Sequence, residues 1–271
     1  VSGGYLLHRF QVRRNIATLL ATIDENIAAG NPGEAINPLR KYLTLRPTDR
    51  ERHLQLASIL AERASSGLRS PEEWAFTKDV LRTAVTNDPD QDDLREKLVI
   101  LLLEARETDA AMFHAAALRK RTDPVKDPDA FGRIGMLYVQ AAMKAGRPDE
   151  VEQTLVELTE PVPGTPLPPE RIDAFVMLAA IQSEGRARLQ AAEEVLRRMV
   201  AAFPDSPRAW KVFAGWSRRN GRIDQAAEAI AKARALAPDD EEASLIAATV
   251  ALAGPSDLEA ALTVASQAFA D

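Results

Sequence analysis

The 271-residue chain contains no cysteine, and its three histidines, His8, His53 and His114, lie far apart. Without thiols there is no cysteine nucleophile, thiolate zinc site or disulfide framework. The histidine spacing fits no metal-ligand pattern, so each reads as a partly exposed helix residue. Glycine-rich phosphate loops are missing, and no serine stands in a nucleophile-elbow context. The carboxylate run Asp239-Asp240-Glu241-Glu242 opens a helical stretch, where negative charge complements the helix dipole. These groups point to no reaction. The chain reads as non-enzymatic, with no metal and no cofactor.

The cations offer more. Residues 206–223 hold Arg208, Lys211, Arg218, Arg219 and Arg222 and no acid. At about 100° per residue, these five fall within an arc about 100° wide on one helix face. Trp210, Phe213 and Ala214 point to the other side. Gly215 lies inside the arc. A mid-helix glycine costs about 0.5–1 kcal/mol relative to alanine, and close approach of a ligand backbone is one reason to keep it. The stripe reads either as a site for an acidic peptide segment or as a solvated helix face. Nucleic acid is not expected as a partner, because the net charge is −6 and no exposed aromatic residues alternate with the arginines.

Positioning that stripe requires helices, and the composition supplies them. Alanine, the best helix former, accounts for 47 residues, and 46% of the chain is apolar, which excludes general disorder. Pro47, Pro89, Pro124, Pro163, Pro204 and Pro238 each follow a stretch with helical apolar spacing, at intervals of 42, 35, 39, 41 and 34 residues. Proline stops a helix, and recurrence at such intervals marks a helical repeat array. Gly30, Gly146 and Gly221 fall where the first helix of a unit should end in a left-handed cap. Asn31-Pro32 and Ser70-Pro71 read as starts of second helices, with the first residue capping and proline at the first helical position. Asp127-Pro128 and Ser206-Pro207 open first helices in the same way.

A second periodicity runs in phase with the prolines. Small residues recur early in the second helices, at Ala35, Thr77, Ala111, Val151, Ala192, Ala226 and Ala260. Small or branched apolar residues recur midway along the first helices, at Ile23, Ala57, Val99, Val139, Ala180, Ala214 and Ala248. Residues 207–240 carry the densest set, with Trp210, Phe213, Ala214, Gly221, Ala226, Ala233 and Pro238; residues 16–49 contribute Gly30, Ala35, Tyr42 and Pro47. The unit at 50–91 carries an insertion at 65–69, and the unit at 92–125 lacks the aromatic and glycine signals. On these residues the chain, from about Asn15 onward, resembles the tetratricopeptide repeat family.

The resemblance implies an all-α, right-handed superhelical solenoid of about seven helix-turn-helix repeats. Four would occupy residues 15–160 and three residues 170–271, with a proline-rich spacer at 161–169. It also implies a protein–protein interaction scaffold whose first helices line a concave groove, the partner being a protein or peptide. The groove candidates are Arg208, Lys211, Gly215, Arg218, Arg219 and Arg222. Matching positions upstream are Arg133, Met136, Gln140, Met143 and Lys144, then Met177, Ile181 and Glu184. The Lys/Asn set with which some family members clamp a chaperone's C-terminal carboxylate is absent, so that ligand is not carried over. Trp210, at the family's large-residue position, is expected to pack between the helices of its unit and to be more buried than Trp216.

The ends complete the reading. Val1 is not a start methionine, and residues 1–14 form a basic lead-in in which Gly3-Gly4-Tyr5-Leu6-Leu7 precedes His8, Arg9, Arg13 and Arg14. This resembles either the exit of a membrane segment upstream of Val1 or the start of a first helix. The last expected helix, Leu258 to Phe269, lacks the polar face of a terminal cap. The expected setting is cytoplasmic. The alternative is a tethered accessory domain of a larger membrane-associated enzyme or secretion assembly.

Overall fold

The computed structural model describes residues 2–67, 70–162, 164–183 and 189–253, with side chains from residue 11 onward. The expected last helix, Ala260, Glu184 and the side chain of His8 lie outside the described residues. Thirteen α-helices follow one another: α1 (Ser2–Ala28), α2 (Pro32–Leu45), α3 (Arg50–Ser65), α4 (Pro71–Asn87), α5 (Asp92–Glu104), α6 (Thr108–Arg121), α7 (Pro128–Lys144), α8 (Pro148–Thr159), α9 (Ile172–Gln182), α10 (Leu189–Ala202), α11 (Pro207–Arg219), α12 (Ile223–Leu236) and α13 (Glu241–Ala253). Among the described residues there is no β-strand, only an isolated bridge between Val162 and Thr165. The lead-in residues from Ser2 run on into α1. No helix among the described residues is long and apolar enough to cross a membrane.

The chain divides into two compact units. Unit 1 comprises Val1–Arg121 with Gln140–Gly146; unit 2 comprises Thr122–Val139 with Arg147–Asp271. Within unit 1, consecutive helices from α1 to α6 pack on one another, and within unit 2 the same holds from α8 to α13. Contacts that pass from each element to the next are the pattern of a helix-pair array. Helices α8 and α9, on either side of the proline-rich stretch, pack on each other.

The small-residue periodicity explains this packing. Ala35, Ala111, Ala192 and Ala226 are fully buried, and Thr77 and Val151 nearly so. Ile23, Ala57, Val99, Val139 and Ala214 are likewise fully buried, and Ala248 is 6% exposed. The alanines at these crossings let two helix backbones approach closely, and the branched Ile23, Thr77, Val99, Val139 and Val151 fill the remaining ones. One position is corrected: Ala180 is exposed, and Ala179 takes its place in the core. The core pair Ala179 and Ala192 is 13 residues apart where Ala214 and Ala226 are 12 apart, so the fifth unit holds one residue more between its two crossings.

Helix ends follow the expected chemistry with two exceptions. Asp49, Ser70, Asp127, Ser206 and Asp240 each accept a side-chain cap bond from a backbone N–H three residues on. Asn31 makes no side-chain cap bond. Its N–H instead donates to the Asn26 carbonyl and closes α1, a role incompatible with the extended backbone of a capping residue. Gly30, Gly146 and Gly221 have φ of +75°, +69° and +74°, the left-handed ends anticipated above. In the unit that lacks the glycine, Arg106 occupies the same conformation with φ +61°. The bonds from Arg106 N–H to Leu103 O and from Glu107 N–H to Leu102 O hold it there.

Candidate functional site

Four of the five cations, Arg208, Lys211, Arg218 and Arg219, lie on α11 opposite its buried face, which is formed by Ala209, Phe213, Ala214, Trp216 and Ser217. Arg222 does not continue the stripe: the helix ends at Arg219, Gly221 turns the chain with φ +74°, and Arg222 stands at the N-cap of α12. Three of the five cations are engaged within unit 2. Arg208 pairs with Asp173 on α9. Lys211 Nζ donates to Asp240 at 2.8 Å and to Glu242 at the start of α13. Partial burial pulls the Lys211 ammonium pKa down, but the hydrogen bonds to Asp240 and Glu242 outweigh it and hold the group above its ordinary value. Asp240 is correspondingly held below the usual carboxylate range, mainly by its bond to Lys211.

Arg222 pairs with Glu193 of α10, which also accepts from Arg197 and from Gln225 Nε2. Burial raises the Glu193 carboxyl, and these donors reverse the shift, so its net displacement is downward. Arg208 and Lys211 thus tie α11 to α9 and to the start of α13, and Arg222 ties the turn before α12 to α10. Arg218, half-buried, and Arg219, exposed, pair with no carboxylate among the described residues.

Gly215 stands beside these two arginines. A Cβ built there would meet Arg219 Nη1 at 3.5 Å, an ordinary contact. Neither packing nor backbone conformation demands glycine at this position. The glycines of α7 are different. A Cβ at Gly132 would lie 2.7 Å from Arg171 Nε, and one at Gly135 would lie 2.6 Å from Leu158 Cδ2.

The other groove candidates are scattered across both units. Arg133 and Gln140 are exposed, Met143 is 54% exposed, and Met136, Met177 and Ile181 are half-buried. Lys144 donates to the Leu103 carbonyl at 3.1 Å within unit 1.

Two tryptophans exchange their expected burial. Trp216 is 6% exposed, with its indole N–H donating to Ser183 Oγ at 3.3 Å and Arg222 over its ring. Trp210 is half-buried. Its N–H donates to the Pro204 carbonyl at 2.7 Å, which draws the ring out over the inter-repeat loop, and Lys232 of α12 covers it. This bond has counterparts: His53 Nε2 meets the Pro47 carbonyl and an Arg95 Nη meets the Pro89 carbonyl, each six residues away. The loop prolines therefore do more than stop helices. Three of them present a carbonyl to a side chain of the next first helix.

Sequence reading missed two buried arginines. Arg171 is 2% exposed; its Nη groups donate to Leu158 O at 2.8 Å and Pro128 O at 3.1 Å, and Phe131 lies under it. It satisfies a carbonyl at the end of α8 and one at the start of α7. Two glycines in α7 were the available signal, since Gly132 makes room for the guanidinium. Arg95, 7% exposed, shares a hydrogen bond of 3.3 Å with His114 Nδ1. His114 is therefore buried rather than partly exposed. Burial, then the neighbouring Arg95 and Arg82, lower its pKa from the ordinary 6.5. Among the described residues no group of three or more His, Asp or Glu is placed to hold a metal ion.

The comparisons with known proteins agree with this architecture. Residues 180–250 match the Tetratricopeptide repeat family. The C-terminal part of a TPR repeat-containing protein from Cytophaga hutchinsonii superposes with TM-score 0.57 at 13% identity, over 79% of this chain and 78% of that one. A tetratricopeptide repeat protein from Parabacteroides merdae gives TM-score 0.49 at 13% identity, over 94% of this chain and 99% of that one. No curated protein matches the chain in sequence. The family match thus covers residues 180–250, and paired helices, small-residue crossings and left-handed helix ends repeat the same local pattern elsewhere among the described residues.

Proposed function

We propose that the chain is a non-catalytic scaffold that captures an acidic segment of a partner protein on the first-helix face of unit 2. The observation that carries this reading is the division of labour on α11. Arg208 and Lys211 are neutralised by Asp173, Asp240 and Glu242, whereas Arg218 and Arg219 pair with no carboxylate among the described residues. Beside them stands Gly215, which the fold does not require. Two guanidinium groups next to a bare stretch of helix suit a carboxylate-bearing peptide whose backbone comes close. Met177 and Ile181 on α9 supply adaptable apolar contacts nearby in the repeat alignment. A net charge of −6 disfavours a nucleic-acid partner, for which a basic surface is the usual footprint.

The test is affinity capture from lysate with cross-linking. The reading expects cross-linked segments rich in Asp and Glu, recovered by the wild-type protein and lost from an Arg218→Glu/Arg219→Glu variant of unchanged helicity. Recovery of the same segments by that variant would sink it.

A further inference from the structure

Unit 1 carries a furrow on its second helices, independent of the α11 stripe. Its walls are α2 and α4 and its floor is α3. The register of the three helices explains why it is apolar. Leu56 and Leu60, one turn apart on α3, form the floor and are 3% and 4% exposed. Ile36 and Leu43 on α2 and Phe76 and Val80 on α4 line the sides; Ile36, Phe76 and Val80 are half-buried and accessible. Two adjoining hollows of about 380 and 180 Å³ share Arg40 and Phe76 as lining residues.

Arg40 decides what the furrow can take. Its guanidinium carbon lies 4.3 Å from the centre of the Phe76 ring. Stacking uses the face of the guanidinium and leaves the N–H donors at its edge available for a planar carboxylate. The other arginine lining the hollows, Arg63, is committed to Glu73 at 2.8 Å, and Arg82, beside the furrow on α4, pairs with Asp79 and Glu107. Asp79, the acid lining the wider hollow, is thus held by Arg82. Arg40 pairs with no carboxylate among the described residues. An apolar trough with one pre-stacked, uncompensated arginine at its midpoint is complementary to an apolar segment bearing one central acid.

We propose that this furrow is a second docking surface, which receives an amphipathic partner helix whose central Glu or Asp meets Arg40. The wall from Gly33 to Thr44 has room for about three helical turns, roughly 17 Å at 1.5 Å per residue, and an apolar helix face fits such a groove by its i, i+3, i+4 and i+7 anchors.

The test uses a fluorescein-labelled peptide of about 12 residues, with leucines on one helical face and a single central glutamate. A matched peptide carries lysine in place of that glutamate. Anisotropy titrations against the full chain should give saturable binding of the glutamate peptide, weakened at least tenfold by Arg40→Glu. The same variant should bind the lysine peptide better than the glutamate peptide, and Arg218→Glu/Arg219→Glu should change neither. Equal affinity of wild type and Arg40→Glu for the glutamate peptide overturns the proposal, as does the absence of saturable wild-type binding up to about 1 mM, the weak end of specific recognition. Arg40 is exposed, and circular dichroism checks that its reversal leaves the helices intact.

Discussion

Helices α7 and α11 both carry glycine in their interior, and the structure gives the two cases opposite meanings. In α7 the missing Cβ atoms are filled by other parts of the chain, Arg171 at Gly132 and Leu158 at Gly135. In α11 nothing fills the space at Gly215 beyond an ordinary contact with Arg219. A helical glycine is thus a packing residue where a neighbour occupies its side-chain volume. Where no neighbour does, its helix-propensity cost of about 0.5–1 kcal/mol goes uncompensated within the chain. That contrast separates the structural part of unit 2 from the part we assign to binding.

The sharpest way to break the contrast is a double-mutant cycle at Arg171 and Gly132. Arg171→Ala should destabilise most, by about 3–5 kcal/mol, because it empties a large buried site and removes donors from two carbonyls. Gly132→Ala alone should cost about 1–3 kcal/mol by overpacking. In the Arg171→Ala background the same change should cost little or nothing, since the clashing group is gone. Additive effects in chemical denaturation would show that Gly132 does not serve Arg171.

The tryptophans on α11 sharpen the boundary from the other side. Trp216→Ala should lower stability by about 3–5 kcal/mol, the range for a large buried aromatic, and Trp210→Ala by less than half as much. An equal loss would mean that Trp210 is as deeply packed as its partner. A third expectation concerns the other buried arginine. The folded pKa of His114 lies below its unfolded value of about 6.5, so between the two the unfolded chain binds more protons. Its contribution is therefore complete above about pH 6.5 and is lost as the pH falls below that toward the folded pKa. His114→Gln, which keeps an acceptor for Arg95, should flatten the melting-temperature profile between about pH 7 and 5. An unchanged profile would show that another group sets it.

Much of this was legible in advance, and the gaps have physical causes. The prolines and small residues fixed the helix pairs because each acts through local sterics, which sequence spacing reports directly. Arg106 was invisible as a helix end because the usual residue there is glycine. The left-handed conformation is held by two closing bonds, from Arg106 N–H to Leu103 O and from Glu107 N–H to Leu102 O. The stripe on α11 was found, but its division was not. Pairing with Asp173, Glu193 and Asp240 depends on acids 29 to 35 residues away in sequence. Trp210 was placed too deep because a hydrogen bond to a loop carbonyl outweighed the helix-wheel position.

The smallest effects lie in the glycines themselves. Gly215→Ala should raise stability by about 0.5–1 kcal/mol, and Arg106→Gly should do the same by relieving the left-handed conformation. If Gly215→Ala instead destabilises, a packing role exists at α11 and the contrast with α7 fails.

The central claim is that Arg218 and Arg219 read a partner's acid while Arg208 serves the fold. It is tested most directly by anisotropy titration of a fluorescein-labelled Asp/Glu-rich peptide against three proteins: wild type, Arg218→Glu/Arg219→Glu and Arg208→Glu. The account predicts binding by wild type that weakens in about 0.5 M salt, where the Debye length is well under the ~8 Å of physiological conditions. The double reversal should weaken it at least tenfold, about 1.4 kcal/mol, and the Arg208 reversal should leave it within about twofold, far below that same tenfold step. Equal losses in both variants, or none in either, would contradict it.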